Sequence, residues 1–364
     1  MTKLSVLIAT CLILSLAACA GKGGNNSLNA AQQREADVAK VMKKVADWQL
    51  ANLRHKDTVW QNAVLYAGIM ALYQSTRDEK YFNAVMSMGE RNDWKLGPRE
   101  RHADDHCIGQ VYLELYFIRK DPKMIEDVRN TFDSIISNPK PGRADWSWCD
   151  ALFMAPACMA KLAAATNKMI YLDVMDTMWW DTVDYLYDKR EHLFFRDENF
   201  LNAVEKNGKK IFWGRGNGWV LAGVVRVLQY MPENYPTRAR YLDLYRQISN
   251  RIATLQREDG FWKSSLLDPE SYPDGESSCT ALFTYALAWG INQHVLSRED
   301  FFQVTNRGWK ALLSALEDSG KVGWVQQPDH RPNVVQKENS ETYGTGAFFL
   351  AGSEIMKLYS HSAY

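Results

Sequence analysis

The chain has 364 residues, 43 Lys and Arg balanced by 43 Asp and Glu, and a hydrophobic fraction of 46%. These values are ordinary for a globular protein and exclude a disordered chain or a small disulfide scaffold, and the zero net charge argues against a nucleic-acid-binding protein. The 13 Trp, 17 Tyr and 14 Phe indicate a large core, or a cleft in which aromatic rings stack on sugars.

Residues 1–18 have the pattern of a secretory signal peptide. Their apolar run is about 15 residues long, shorter than the roughly 20 residues that span a membrane. It ends in Leu16-Ala17-Ala18-Cys19, which is typical of bacterial lipoproteins, so we expect cleavage before Cys19 and lipidation there. Residues 19–33 are expected to form a flexible tether. The predicted location is the periplasm, with the lipid on Cys19 as the only attachment to a membrane.

Helical spacing of apolar residues dominates from residue 34 onward. A short hairpin between residues 189 and 212 is the only β-structure that we expect. The spacing predicts twelve helical segments, at about 36–53, 60–75, 79–91, 105–119, 121–137, 149–166, 169–187, 216–230, 237–257, 278–293, 298–317 and 344–359.

These segments alternate in character along the chain. Odd-numbered segments are amphipathic, whereas even-numbered segments are apolar nearly all round and rich in small residues. Because a helix that is apolar on all sides is buried, the pattern predicts pairs of one outer and one inner helix. The predicted fold is therefore all-α, a single (α/α)6 barrel of six helical hairpins over residues 34–364. A superhelical repeat array is the alternative, but no fixed repeat period is visible.

Four cysteines, Cys107, Cys149, Cys158 and Cys279, lie in the predicted barrel. Export permits disulfides between them. Each lies in an apolar helical stretch, so we expect buried free thiols.

Unusual polar and aromatic residues precede every inner helix. Inner helices of a barrel run parallel, so their starts meet at one mouth, where helix N-termini favour an anionic ligand. Carboxylates and Trp side chains there point to acid–base chemistry on a sugar, and Arg215 can bind a substrate carboxylate as a two-pronged fork. These groups occupy residues 57–62, 104–106, 146–150, 213–219, 274–278 and 341–346.

Two other kinds of site are not favoured. Gly214, Gly216 and Gly218 are interrupted by bulky residues, and no strand precedes them, which argues against a nucleotide loop. The histidines lack metal-ligand spacing. We therefore predict no metal and no other cofactor.

Three motifs carry a family resemblance: ADDHCIGQ at 103–110, WCDALFMAP at 148–156 and WGRGNGW at 213–219. They resemble the unsaturated rhamnogalacturonyl hydrolases of glycoside hydrolase family 105, which are related to the unsaturated glucuronyl hydrolases of family 88. The likeness extends over residues 36–358. It implies an (α/α)6 barrel, in agreement with the helix pattern.

The resemblance also implies a reaction. These enzymes release a Δ4,5-unsaturated uronic acid from the non-reducing end of lyase-made oligosaccharides by hydrating the vinyl ether. An Asp protonates C4, and water adds at C5. By motif position Asp150 is this acid/base, and Asp105 is the second carboxylate, with Asp104 as its alternative.

The expected substrate-binding residues are Trp60, His106, Trp148, His192, Arg196, Trp213, Arg215, Asn217 and Trp219. Many family members have a His where this chain has Arg196, so either Arg196 or nearby His192 is expected to replace it. The leaving sugar is expected to be rhamnose of pectin, with sugars of arabinogalactan, ulvan or glycosaminoglycans as alternatives.

Two other functions compete with this hypothesis. An inverting glycosidase acting on saturated sugars needs two carboxyl groups about 6.5–9.5 Å apart. A non-catalytic glycan-binding lipoprotein would keep the aromatic cleft only for affinity. The expected partner is a small oligosaccharide with an unsaturated uronate, and the expected oligomeric state is a monomer or a weak dimer.

Overall fold

The computed structural model of the chain describes residues 23–141 and 143–360. The predicted signal peptide and Cys19 lie outside the described residues. Helix α1 (Gly23–Ala51) begins inside the segment 19–33 that was predicted to be a flexible tether, which is a correction. The Leu, Ala and Gln residues at 28–33 are good helix formers and extend the helix toward the N-terminus.

Helices make up nearly all the regular structure of the described ranges, including a short 3-10 helix at Glu198–Phe200. A two-stranded antiparallel sheet pairs β1 (Tyr187–Asp188) with β2 (Leu193–Phe194), and this hairpin begins two residues before the predicted position 189. The remaining helices are α2 (Trp60–Thr76), α3 (Glu79–Arg91), α4 (Ala103–His106), α5 (Gly109–Arg119), α6 (Lys123–Ser137), α7 (Ala151–Met154), α8 (Pro156–Thr166), α9 (Ile170–Leu186), α10 (Gly214–Leu228), α11 (Arg238–Ala253), α12 (Ser277–Asn292), α13 (Arg298–Ser314) and α14 (Thr342–Ser360).

The inner helices form a closed ring. In order, α2, α5, α8, α10, α12 and α14 each contact the next helix, and α14 contacts α2. The amphipathic helices α1, α3, α6, α9, α11 and α13 pack around this ring. The predicted (α/α)6 barrel of six hairpins is therefore confirmed, and a closed ring excludes an open repeat array.

Small residues let the first and last inner helices touch. A Cβ atom on Gly68 of α2 would lie 2.3 Å from the carbonyl oxygen of Gly346 in α14. A Cβ atom on Gly346 would in turn clash with the carbonyl of Val64 in α2. Any side chain here would push the two helices apart, so the ring closes at a pair of glycines.

Two inner segments that were predicted to be continuous are broken near the mouth. The segment 105–119 is divided into α4 and α5, and the segment 149–166 is divided into α7 and α8. Pro156 has no N–H to donate to the preceding turn, so a new helix starts there. The short helices α4 and α7 contact each other, which brings their motifs together.

The four cysteines of the barrel, Cys107, Cys149, Cys158 and Cys279, are free and buried, as predicted. Among the described residues, no helix combines the length and apolar character needed to span a membrane.

Candidate active site

Two adjoining cavities at the mouth share Asp104, Trp148 and Arg196. We name them by one residue that lines only one of them. The Asp150 cavity has a volume of about 260 Å³ and is lined by Trp60, Asp104, Trp148, Asp150, Met154, Arg196, Trp213, Arg215, Pro328, Asp329 and His330. The Glu198 cavity has a volume of about 430 Å³ and is lined by His102, Asp104, Ser147, Trp148, Arg196, Asp197, Glu198 and Asn199.

Asp150 is a buried carboxyl group immediately before α7. It stands at the N-cap position, but its side chain makes no capping hydrogen bond, so the ordinary structural role of such an Asp does not apply. Its Oδ2 lies 3.6 Å from Nε of Arg196 and 3.5 Å from Sγ of Cys149. Burial raises the pKa of Asp150, although the Arg196 and Arg215 charges oppose the shift. This carboxyl group is therefore suited to carry a proton at higher pH than an exposed Asp.

Asp104 lines the Asp150 cavity together with Asp150 and with Asp329 of the loop that Arg215 holds. Burial and the neighbouring charge of Asp150 raise the pKa of Asp104 to about 7, and Arg99 and Arg196 limit the shift. Two interacting carboxyl groups titrate as a pair. The pair formed by Asp104 and Asp150 therefore retains a proton near neutral pH.

Asp105 does not line either cavity, which corrects its prediction as the second carboxylate. Nη2 of Arg99 donates to its Oδ1 at 2.6 Å, and the Arg99 backbone N–H donates to its Oδ2 at 2.7 Å. Burial acts against ionisation, but these Arg99 contacts lower the pKa of Asp105. Successive helical residues point about 100° apart, so only one of two adjacent aspartates can face the cleft.

Arg215 is buried at the wall of the Asp150 cavity. Its Nη1 donates to the carbonyl of Gln326 at 2.7 Å and to the hydroxyl of Tyr343 at 2.9 Å. Its Nη2 donates to the carbonyls of Gln327 and Asp329 at 3.2 and 3.3 Å. Arg215 thus fastens the 326–329 loop to the barrel.

Two donors remain beside the reactive carboxyl groups. The Nε atoms of Arg196 and Arg215 are buried and have no hydrogen-bond partner. Both guanidinium groups line the Asp150 cavity. A bound carboxylate in this cavity can accept from either Nε, and the positive charges compensate it.

Aromatic rings form the other walls of the cleft. Trp60 stacks on Tyr343 with ring centroids 4.8 Å apart, and Trp148 packs against the ring of His102 at 5.0 Å. Nε1 of Trp213 donates to Oε1 of Gln326 at 2.9 Å, which fixes that indole in the wall. The cavity therefore offers apolar ring faces together with charged groups, which is a suitable surface for a pyranose.

Trp219 and Asn217 were predicted to bind substrate. They line neither cavity, which is a correction, and they pack behind the residues that do. Trp219 is fully buried, with its edge against Trp60 at a centroid distance of 6.3 Å. Oδ1 of Asn217 accepts from the backbone N–H of Phe194 at 2.7 Å, and its Nδ2 donates to the Phe194 carbonyl at 3.0 Å. Asn217 therefore joins β2 to α10.

His106 and His192 are also absent from the cleft, contrary to the prediction. The ring of His106 packs on Phe132, and its Nε2 donates to the carbonyl of Glu100 at 2.7 Å. Burial lowers the pKa of His106 to about 4, so it is a neutral core histidine. His192 lies in the hairpin turn with φ of 54°, where Nδ1 is 2.9 Å from the hydroxyl of Tyr187. Of the two candidates, Arg196 and His192, Arg196 is therefore the one that lines the cleft.

The loop that Arg215 holds continues to His330. Its residues Pro328, Asp329 and His330 line the Asp150 cavity, and none of them was predicted from the sequence. The loop lies more than ten residues before α14, so the rule that site residues directly precede an inner helix did not identify it. Among the described residues, no group of three or more His, Cys, Asp or Glu is arranged to hold a metal ion.

The chain resembles known proteins over nearly its whole length. Residues 29–359 match the model of Glycosyl Hydrolase Family 88. A Formosa agariphila protein named unsaturated 3S-rhamnoglycuronyl hydrolase is 35% identical over 376 residues, covering 98% of this chain and 97% of that protein. A protein of the same name from Alteromonas sp. is 32% identical over 406 residues, covering 98% of both chains.

Solved structures agree with these matches. A family 88 glycosyl hydrolase from Bacteroides vulgatus has a TM-score of 0.84 and 28% identity, covering 89% of this chain and 99% of its own. A protein from Salmonella enterica described as a possible family 105 member has a TM-score of 0.76 and 20% identity, covering 89% of this chain and 95% of its own, and it therefore shares the fold. The chain thus belongs to glycosyl hydrolase family 88 and is an enzyme of that family.

Proposed function

We propose that this enzyme removes a Δ4,5-unsaturated uronic acid from the non-reducing end of lyase-made oligosaccharides, with rhamnose as the leaving sugar. The observation that carries the proposal is that Asp150 and Asp104 line one cavity with Arg196 and Arg215, whose buried Nε atoms have no hydrogen-bond partner. Burial raises the pKa of both carboxyl groups, which favours a proton donor there. The names of the Formosa and Alteromonas relatives, unsaturated 3S-rhamnoglycuronyl hydrolase, support the same substrate class.

The reaction uses one carboxyl proton and one water. Asp150 as a carboxylic acid donates its proton to C4 of the C4=C5 bond, which leaves positive charge shared between C5 and the ring oxygen. Water adds at C5, and its proton returns to the carboxylate. The resulting hemiketal opens to a ketone at C5, and the hemiacetal then exposed at C1 collapses and releases the leaving sugar. Asp104 keeps the proton on the pair and orients the water.

The two arginines share one task in this proposal. Arg215 and Arg196 offer their Nε donors to the carboxylate on C5 of the substrate, which places C4 against Asp150. Trp60, Trp148 and Trp213 provide ring faces for the sugar. Replacing Arg215 by Ala should raise KM, because it removes a cation and also releases the 326–329 loop.

The decisive experiment compares unsaturated and saturated uronyl disaccharides of the same linkage. Absorbance of the C4=C5 bond should disappear as the unsaturated disaccharide is consumed and free rhamnose is released, while the saturated one stays intact. Hydrolysis of the saturated disaccharide would instead favour an inverting glycosidase. Binding of both without turnover would favour a glycan-binding protein.

We infer from Leu16-Ala17-Ala18-Cys19 that Cys19 is lipidated and anchors the enzyme to a membrane on its periplasmic side. A lipid-labelling experiment tests this. Wild-type protein should incorporate a fatty-acid label and sediment with membranes, and Cys19→Ala should lose the label. An unlabelled wild-type protein would contradict the anchor without affecting the proposed reaction.

A further inference from the structure

The Glu198 cavity adjoins the reaction site and is well formed. It shares Asp104, Trp148 and Arg196 with the Asp150 cavity. Its opposite walls are tied together, because Trp148 and Asp197 form an antiparallel bridge and the Cys149 N–H donates to the Arg196 carbonyl at 2.8 Å. A substrate whose unsaturated uronate occupies the Asp150 cavity can therefore place its next sugar in the Glu198 cavity.

The lining of the Glu198 cavity leaves one carboxylate without a cation, because Asp104 shares a proton with Asp150 and Asp197 pairs with Arg196. Asp104, Asp197 and Glu198 are its three acidic residues, and Arg196 is its single permanent cation. His102 provides no compensating charge at neutral pH, because burial and the nearby Arg99 lower its pKa.

Two nitrogens of Arg196 already face carboxylates of the protein. Its Nη1 donates to Oδ2 of Asp197 at 2.5 Å, and its Nε lies 3.6 Å from Oδ2 of Asp150. Asp197 is held in place by Asn199, whose backbone N–H and Nδ2 each donate to its Oδ1 at 2.9 Å. Although Asp197 is buried, the contacts with Arg196 and Asn199 lower its pKa, so it remains ionised.

These charges set the substrate class. We propose that the Glu198 cavity receives the leaving sugar and selects an uncharged one, because Arg196 already pairs with Asp197 and leaves the negative charge of Glu198 to oppose a sulfate or carboxylate group on that sugar. The neutral hydroxyl of Ser147 and the amide of Asn199 are suited to bind sugar hydroxyls, and Trp148 offers a ring face. The inference rests on the proposed function. It also separates this enzyme from the relatives whose names specify a 3S-rhamnoglycuronyl substrate.

Two matched substrates test the proposal. One is unsaturated glucuronate linked to rhamnose, and the other is the same disaccharide with a sulfate on C3 of the rhamnose. At low ionic strength kcat/KM should be about tenfold higher for the unsulfated disaccharide, as expected for like charges at short range. The preference should shrink as salt is added, because screening weakens the repulsion from exposed Glu198.

A charge reversal sharpens the test. Glu198→Lys should move the ratio of the two kcat/KM values by about tenfold toward the sulfated disaccharide. Glu233→Lys changes the same charge at an exposed position that lines neither cavity, and it should leave the ratio unchanged.

The outcomes are distinguishable. Equal or faster turnover of the sulfated disaccharide by the wild-type enzyme would overturn the selection of an uncharged sugar and leave the proposed reaction standing. A ratio that responds equally to Glu198→Lys and Glu233→Lys would also overturn it, because the effect would then be one of overall charge. Absence of turnover with every unsaturated disaccharide would refute the proposed function itself.

Discussion

Buried carboxyl groups occur at both ends of the barrel, and their surroundings differ. At the mouth, burial raises the pKa of both Asp150 and Asp104. Toward the other end, Glu114 of α5 forms ion pairs with Lys161 and with Arg226, the latter at 2.7 Å. Burial again opposes ionisation there, but these two cations outweigh it and lower the pKa of Glu114.

The two ends differ in which groups the neighbouring cations contact. Glu114 is the carboxylate that two buried cations share, so its negative charge is compensated. At the mouth, Arg196 also pairs with Asp197, and Arg215 directs its Nη donors to backbone carbonyls. Burial therefore favours a proton donor at the mouth, where Nε of Arg196 approaches Asp150 only to 3.6 Å, and a structural ion pair at Glu114, which two cations contact directly.

The largest expected effect is at the mouth. Asp150→Asn should reduce kcat by about 10²–10⁴-fold, because the amide cannot donate the proton to C4. Its melting temperature should stay close to that of the wild type, because Asp150 makes no capping bond. Steady-state kinetics and thermal unfolding measure the two effects. A near-normal rate in a folded variant would refute the role of Asp150.

At the end of the barrel that holds Glu114, we expect a loss of stability without a loss of kcat. Glu114→Gln should lower the free energy of unfolding by about 3–5 kcal/mol, because Lys161 and Arg226 are left buried without their carboxylate. The folded fraction should keep its kcat. Lys161→Met is the matched comparison and should cost less, since Arg226 still neutralises Glu114. Denaturant unfolding tests this, and equal stability of all three proteins would break the comparison.

Adjacent aspartates give a finer test. Asp104→Asn should lower kcat by about 100-fold with little loss of stability, because it removes one member of the carboxyl pair. Asp105→Asn should have a smaller effect on kcat and a larger one on the melting temperature, since it weakens the contact with Arg99. If Asp105→Asn lowered kcat more than Asp104→Asn did, Asp105 would be the second catalytic carboxylate instead.

The smallest expected effect is a shift in the pH dependence of kcat/KM. The active form carries the shared proton, and the pKa of Asp104 is raised to about 7, so kcat/KM should be full below that pH. It should fall about tenfold per unit as pH rises above about 7 and the proton is lost. In Asp104→Asn the fall should begin at lower pH, because Asp150 no longer faces a second carboxylate. A pH profile that this substitution does not move would exclude coupling between the two groups.

The sequence predicted the fold well because the signal extends over whole helices. Alternation of amphipathic and fully apolar segments gave all six helix pairs, and small residues at Gly68 and Gly346 fit the close contact seen. The breaks before α5 and α8 were missed, although Pro156 marks the second of them. Periodicity averages over several turns and does not detect a single interrupted turn.

The candidate site was predicted less completely, because the direction in which each side chain points decides whether it lines the cleft. Asp104 and Asp105 are equivalent by motif and composition, and only the path of α4 decides which one faces the cleft. His106 and Trp219 occur within the same motifs as true cavity residues, but they point into the core. Motif membership identified the right segments, and the orientation of each side chain required the structure.

The contact of α14 with α2 has a consequence for how the enzyme is made. The ring is sealed by helices near the two ends of the chain, so no partial product of synthesis can close it. Long-range closure of this kind is a late step in folding. The apolar faces of α2 and α12 that pack on α14 therefore stay uncovered until α14 is made, so we expect loss of even its last few turns to be more damaging than a truncation of similar length in an outer helix.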